Sequence, residues 1–155
     1  MHTVELLLDP ALESGVRLLW DRLREAGLPS LATHGHPTNR PHLTVATAPA
    51  LDGLAPLALP LEATLGPVRF LGRAVVREVM PTNALRDLHG RVWESLTGAW
   101  PPPDEWLPHV SLALRVRPEQ HDAVRQALRE PAEERGHFVA ARSYDTATRT
   151  VTSLP

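Results

Sequence analysis

Two stretches built to one plan constrain the chain most: Pro41-His42-Leu43-Thr44-Val45-Ala46 and Pro108-His109-Val110-Ser111-Leu112-Ala113. Each alternates polar and apolar side chains with a period of two, which a β-strand satisfies and a helix does not. On such a strand His42 and Thr44 share one face while Leu43 and Val45 share the other. His109 and Ser111 likewise face away from Val110, Leu112, Leu114 and Val116. The apolar face is the one helices would cover, and the His/hydroxyl face is left to border a cleft. Proline before each histidine biases Arg40 and Leu107 toward extended backbone. Extension puts Arg40 on the side of His42, and puts Arg115 and Arg117 on the side of His109.

The segments ahead of the two motifs also match. Val4–Leu8 reads as a buried strand, and Leu12, Val16, Leu19, Leu23 and Ala26 recur at helical spacing until Gly27 and Pro29. A polar loop over 30–40 then leads to the first motif. Arg73–Met80 reads as a strand, and Leu85, Leu88, Val92 and Leu96 mark a helix closed by Gly98. A proline-rich loop, Trp100–Leu107, leads to the second motif, a strand expected to run from His109 to Val116. The spans are 38 residues from Val4 to His42 and 36 from Arg73 to His109, which suggests an internal duplication. Leu61–Leu65 reads as a strand stopped by Gly66-Pro67, Pro118 as the first turn of a third helix, and Phe138–Tyr144 and Thr146–Ser153 as further strands. The expectation is one domain over 1–155, with lobes at about 1–67 and 68–155.

Two imidazoles facing one another suit in-line phosphoryl transfer near neutrality. One takes a proton from the attacking water or hydroxyl, and the other gives one to the leaving alkoxide. The hydroxyls of Thr44 and Ser111 can donate to non-bridging phosphate oxygens. One His-x-Thr on a strand is weak evidence; two copies sharing a leading Pro, the apolar positions and a closing Ala are not. Composition narrows the substrate. All sixteen positive side chains are Arg and the net charge is −2, so no basic stripe for a long nucleic-acid tract is expected, and a nucleotide or RNA end fits better. Without Cys there is neither a thiol nucleophile nor a Cys-based zinc site. No carboxylate cluster suggests a divalent metal, so no metal or cofactor is expected. The N-terminus lacks a basic signal-peptide region, and no apolar run approaches membrane length. A cytoplasmic monomer with no membrane partner is the expectation.

At these residues the chain resembles the two-histidine (2H) phosphoesterase superfamily, most closely its bacterial 2',5' RNA ligase-like members. The resemblance covers nearly the whole chain. It implies an α+β fold of two pseudo-symmetric lobes, with antiparallel-rich sheets around a central cleft and helices outside. It implies catalytic roles for His42 and His109, and phosphate binding by Thr44 and Ser111. The activities it implies are hydrolysis of 2',3'-cyclic phosphates or of ADP-ribose 1'',2''-cyclic phosphate, and 2',5' RNA ligation or its reversal. The low basic charge argues for hydrolysis over ligation. A non-catalytic RNA- or nucleotide-binding domain of the same fold is the alternative of a different class.

Arg40 is a candidate phosphate contact, and Trp106, just before the second motif, a candidate platform for a base, as is Trp100. Trp20 and Trp93 lie on amphipathic helices and read as core. His34 and His36 form an HxH pair, but Gly35 and Pro37 read as a loop, so cleft-mouth histidines are expected rather than metal ligands. His89 falls on a helix face; His121 and His137 read as surface residues.

Overall fold

The computed structural model describes all residues 1–155. Strand β1 (His2–Leu8) leads into helix α1 (Pro10–Glu25), and β2 (His42–Ala48) follows. Then come β3 (Leu61–Leu71), β4 (Ala74–Val79), α2 (Asn83–Ser95), β5 (His109–Ala113), α3 (His121–Leu128), β6 (Glu134–Asp145) and β7 (Thr150–Leu154). The mixed α+β architecture with an antiparallel sheet is the one expected.

Local chemistry sets the helix starts. Asp9 caps α1 by accepting from Leu12 N (2.9 Å), with Pro10 at the first helical position. Its other carboxylate oxygen accepts from His137 N at 2.8 Å, which ties the start of α1 to β6. Thr82 caps α2 by the same device, accepting from Leu85 N.

All pairings are antiparallel, in the order β1-β2-β5-β4-β3-β6-β7, and β6 also pairs with β1. Six strands therefore form a closed ring, with β7 lying along β6. The ring has an approximate two-fold plan. Strands β2 and β5 meet at its centre, flanked by β1 and β4, then by β6 and β3, which pair with each other. This bears the duplication pattern but moves the boundary. The first lobe takes β6 from the far end of the chain, and β3 runs through residue 67, so the lobes are not 1–67 and 68–155. Nor is there a separate sheet in each lobe.

Two strand limits differ from the expectation for stated reasons. Gly66-Pro67 does not stop β3, because the ladder to β4 shifts register between Leu65 and Val68 and absorbs the proline in that irregularity. In contrast, β5 stops at Ala113, and Arg115 sits at φ 59°. The expected placement of Arg115 and Arg117 beside His109 therefore fails.

A single core fills the space between sheet and helices. Leu12, Val16, Leu19, Trp20 and Leu23 of α1 pack with Leu6, Leu43, Val110 and Leu112 of the strands. Arg77 is fully buried in the second lobe. Its guanidinium donates to Gly66 O (2.8 Å), to Glu134 (2.7 Å) and to Ala132 O, joining β3, β4 and the start of β6. No helix is long and apolar enough to cross a membrane.

Candidate active site

The seam between β2 and β5 holds the site. Its one ladder pair is Leu43 with Val110, both fully buried. Alternation then turns His42, Thr44, His109 and Ser111 to the opposite face, where all four are half-buried. In antiparallel register His42 stands across from Ser111 and Thr44 across from His109. The two histidines occupy a diagonal, roughly 7–8 Å apart by strand geometry and somewhat less at the Cβ atoms, a span that two hydrogen bonds through one phosphate can bridge.

Beyond the Leu43–Val110 pair the ladder ends, and indoles take carbonyls of the two strands. Trp106 Nε1 donates to Thr44 O (3.2 Å), and Trp20 Nε1 donates to Ser111 O (3.1 Å). Each tryptophan reaches across: Trp20 belongs to the first lobe and holds the second motif, while Trp106 precedes β5 and holds the first. Trp106 is therefore no base platform. It is buried at 8% exposure and stacks on His89 with ring centroids 4.2 Å apart. Trp100 is the exposed indole of that loop, at 57%.

The imidazoles are oriented alike. His42 Nδ1 lies 2.7 Å from Arg40 O, and His109 Nδ1 lies 2.6 Å from Leu107 O. A carbonyl oxygen only accepts, so Nδ1 carries the proton in both rings. Each Nε2 is then the exchanging nitrogen: an acceptor when its ring is neutral and a donor when it is charged. The proline between carbonyl and histidine holds the preceding residue extended, which aims that carbonyl.

What surrounds the two rings differs. Glu5 of β1 stands opposite Thr44 and is 3% exposed. Its carboxylate accepts from Arg142 Nε (2.8 Å) and Thr3 Oγ1 (2.8 Å), and one oxygen lies 3.6 Å from His42 Nε2. The position opposite Ser111 in the second lobe is Val76. Glu78 stands opposite His109, but it is paired with Arg69, and only His42 has a carboxylate within ion-pair distance. His42 opens onto a cavity of about 540 Å³ whose lining includes Glu5, Arg40, Arg142, Tyr144, Arg149, His34 and His36. His109 opens onto a hollow of about 200 Å³ lined by Leu71, Val76, Val79, Met80, Pro81 and Leu107, among others. Its cation, Arg69, is paired with Glu78 at 2.9 Å.

Arg40 lies where the sequence puts it, on the His42 side, held by Glu13 at 2.6 Å. His34 and His36 line the same cavity, and His36 Nδ1 contacts Thr38 Oγ1 at 2.7 Å. No three His, Cys, Asp or Glu side chains converge as a metal site. Sequence reasoning missed Glu5, Arg142, Tyr144 and Arg149. One signal was present: a carboxylate inside the apolar run Val4–Leu8 needs a buried partner.

The family model described as the 2'-5' RNA ligase superfamily matches residues 50–143, more than half of the chain. The chain belongs to that superfamily, the two-histidine group its motifs resemble. The matched stretch contains the second motif and begins just past the first. Among solved structures, the crystal structure of the MHV ns2 PDE domain superposes with a TM-score of 0.58 at 15% identity, covering 99% of this chain and 98% of that one. At that identity the likeness speaks for the fold. No curated protein matches the chain.

Proposed function

We propose that the chain is a phosphoesterase that opens a cyclic phosphodiester on a nucleotide or RNA end by acid–base catalysis between His42 and His109. The observation that carries this reading is the shared Nδ1-to-carbonyl contact, which leaves an exchangeable Nε2 on each of two histidines set diagonally, with Thr44 and Ser111, on one face of the β2–β5 seam. Superfamily membership and the likeness to a structure titled as a PDE domain support it.

In this reading His109 is the base and His42 the acid. The carboxylate 3.6 Å from His42 Nε2 forms an ion pair only with a protonated ring, whereas Glu78, the carboxylate opposite His109, is taken up by Arg69. Water between His109 and phosphorus gives its proton to Nε2 of His109 as the new O–P bond forms. The ribose oxygen on the far side leaves, and Nε2–H of His42 protonates it. Thr44 and Ser111 donate to the non-bridging oxygens as charge gathers there. The product is a phosphomonoester beside a free hydroxyl. In-line attack puts the water opposite the released ribose oxygen, so the sugar lies on the His42 side, where the larger and more polar cavity is. The attacking side is the small, mostly apolar hollow at His109, with no unpaired arginine to grip an incoming RNA strand. That favours water over an RNA hydroxyl as the nucleophile.

A turnover panel tests the reading: 2',3'-cyclic nucleotides, ADP-ribose 1'',2''-cyclic phosphate and 2',5'-linked dinucleotides. Conversion of a cyclic ester to a monoester is the expected result. Joining of RNA halves without hydrolysis would favour ligation, and high-affinity binding with no turnover would favour a non-catalytic domain.

A further inference from the structure

The cavity beside His42 is larger and more cationic than one phosphodiester needs. A cyclic phosphate held by Thr44 and Ser111 occupies only the edge at His42, and a volume of about 540 Å³ is that of a site for a whole small ligand. Its lining carries Arg40, Arg142 and Arg149 against the single carboxylate of Glu5. Two of those arginines already have partners: Arg142 is paired with Glu5, and Arg40 with Glu13, which lies outside the lining. Arg149 has no carboxylate partner. It sits exposed in the turn between β6 and β7, held at φ 57° with its N–H donating to Asp145 O at 2.8 Å, and it still lines this cavity. Tyr144, from the strand leading into that turn, lines it as well, as do His34 and His36 from the opposite loop. The other hollow at the seam offers no such set, because its Arg69 is neutralised by Glu78.

We infer that this cavity is a subsite for a second anionic phosphate of the substrate, held chiefly by Arg149 with Arg40. The inference rests on the catalytic reading above and narrows it to cyclic phosphodiesters that carry a further phosphate or pyrophosphate. The released ribose oxygen points toward His42, so the second phosphate reaches Arg149 through the same sugar and lies past the scissile bond, not behind the attacking water. Guanidinium groups suit this role because they donate in a fixed fork to phosphate oxygens.

Equilibrium binding separates this inference from the catalytic one. Adenosine 2',5'-bisphosphate and adenosine 2'-monophosphate are titrated against the wild-type protein, Arg149→Asn and Arg40→Gln. Asn is chosen at 149 because it tolerates positive φ. The bisphosphate should bind the wild type at least about tenfold more tightly, as expected for one added charge-assisted contact. That ratio should collapse in Arg149→Asn and shrink in Arg40→Gln. Arg129→Asn, an exposed arginine also at positive φ (55°) that does not line the cavity, should preserve the ratio. Equal affinity of the wild type for both ligands overturns the subsite, as does an unchanged ratio in Arg149→Asn. A preserved ratio in a protein that hydrolyses none of the cyclic esters would overturn the catalytic reading and leave the subsite standing.

Discussion

Replacing Trp106 with Phe separates a residue that holds the motif from one that holds the substrate. The indole stacks on His89 and gives its N–H to Thr44 O. Phenylalanine keeps a ring against His89 but removes the donor, at a place where the β2–β5 ladder supplies no substitute. Leaving a buried carbonyl without its donor costs about 1–3 kcal/mol, and the smaller ring gives up some packing besides. A loss of about 2 kcal/mol in a domain of this size lowers Tm by about 4–8 °C. Thr44 and His42 ride on the strand so released, so kcat should fall while KM changes little. Calorimetry beside steady-state kinetics reads both effects. An unchanged Tm with a tenfold rise in KM would refute the argument and put Trp106 on the substrate face after all.

Three further outcomes follow from the same structure. Arg77→Met should destabilise the protein by about 2–4 kcal/mol, since two carbonyls lose their buried donor while Glu134, partly exposed, can be solvated; a urea-midpoint change equivalent to less than 1 kcal/mol would contradict that. Burial holds the His89 imidazole below its ordinary pKa of 6.5, against an opposing hydrogen bond to the Pro101 backbone. The unfolded chain therefore takes up the proton first as pH falls below about 6.5, and stability should drop by up to about 1.4 kcal/mol per pH unit until the folded ring titrates. His89→Leu should lose that component of the slope, and an unchanged slope would show that other groups carry it. Prolonged chelator treatment should leave turnover intact, because the seam offers two imidazoles where a catalytic zinc usually takes three protein ligands; activity lost and then restored by zinc or manganese would assign the His34/His36 loop a metal-binding role.

Much of the site was legible because it is written with a period of two. His42 with Thr44, and His109 with Ser111, fall on one face of any strand, and the matching helices ahead of them fix which face is covered. Arg40 follows from the proline beside it. What was not legible depends on partners distant in the chain. Glu5 and Arg142 are 137 residues apart in sequence and meet only because β6 returns to β1. That return also defeats a lobe boundary drawn at residue 67. Trp106 misled because an aromatic in a proline-rich loop looks exposed, while its neighbour Trp100 is the one that is. Gly66-Pro67 looked like a strand end, and only the register shift opposite it shows how β3 passes through.

The central claim is that two imidazoles divide one proton transfer in and one out. Its most direct test is the kinetics of His42→Ala and His109→Ala on a natural cyclic ester and on one with an activated leaving group. On the natural ester each substitution should lower kcat by about 10²–10⁴ with a smaller effect on affinity. The activated ester needs no acid, so it should restore turnover in His42→Ala and fail to do so in His109→Ala. Rescue of His109→Ala alone would reverse the assignment, and full activity in either variant on the natural ester would contradict the two-histidine account.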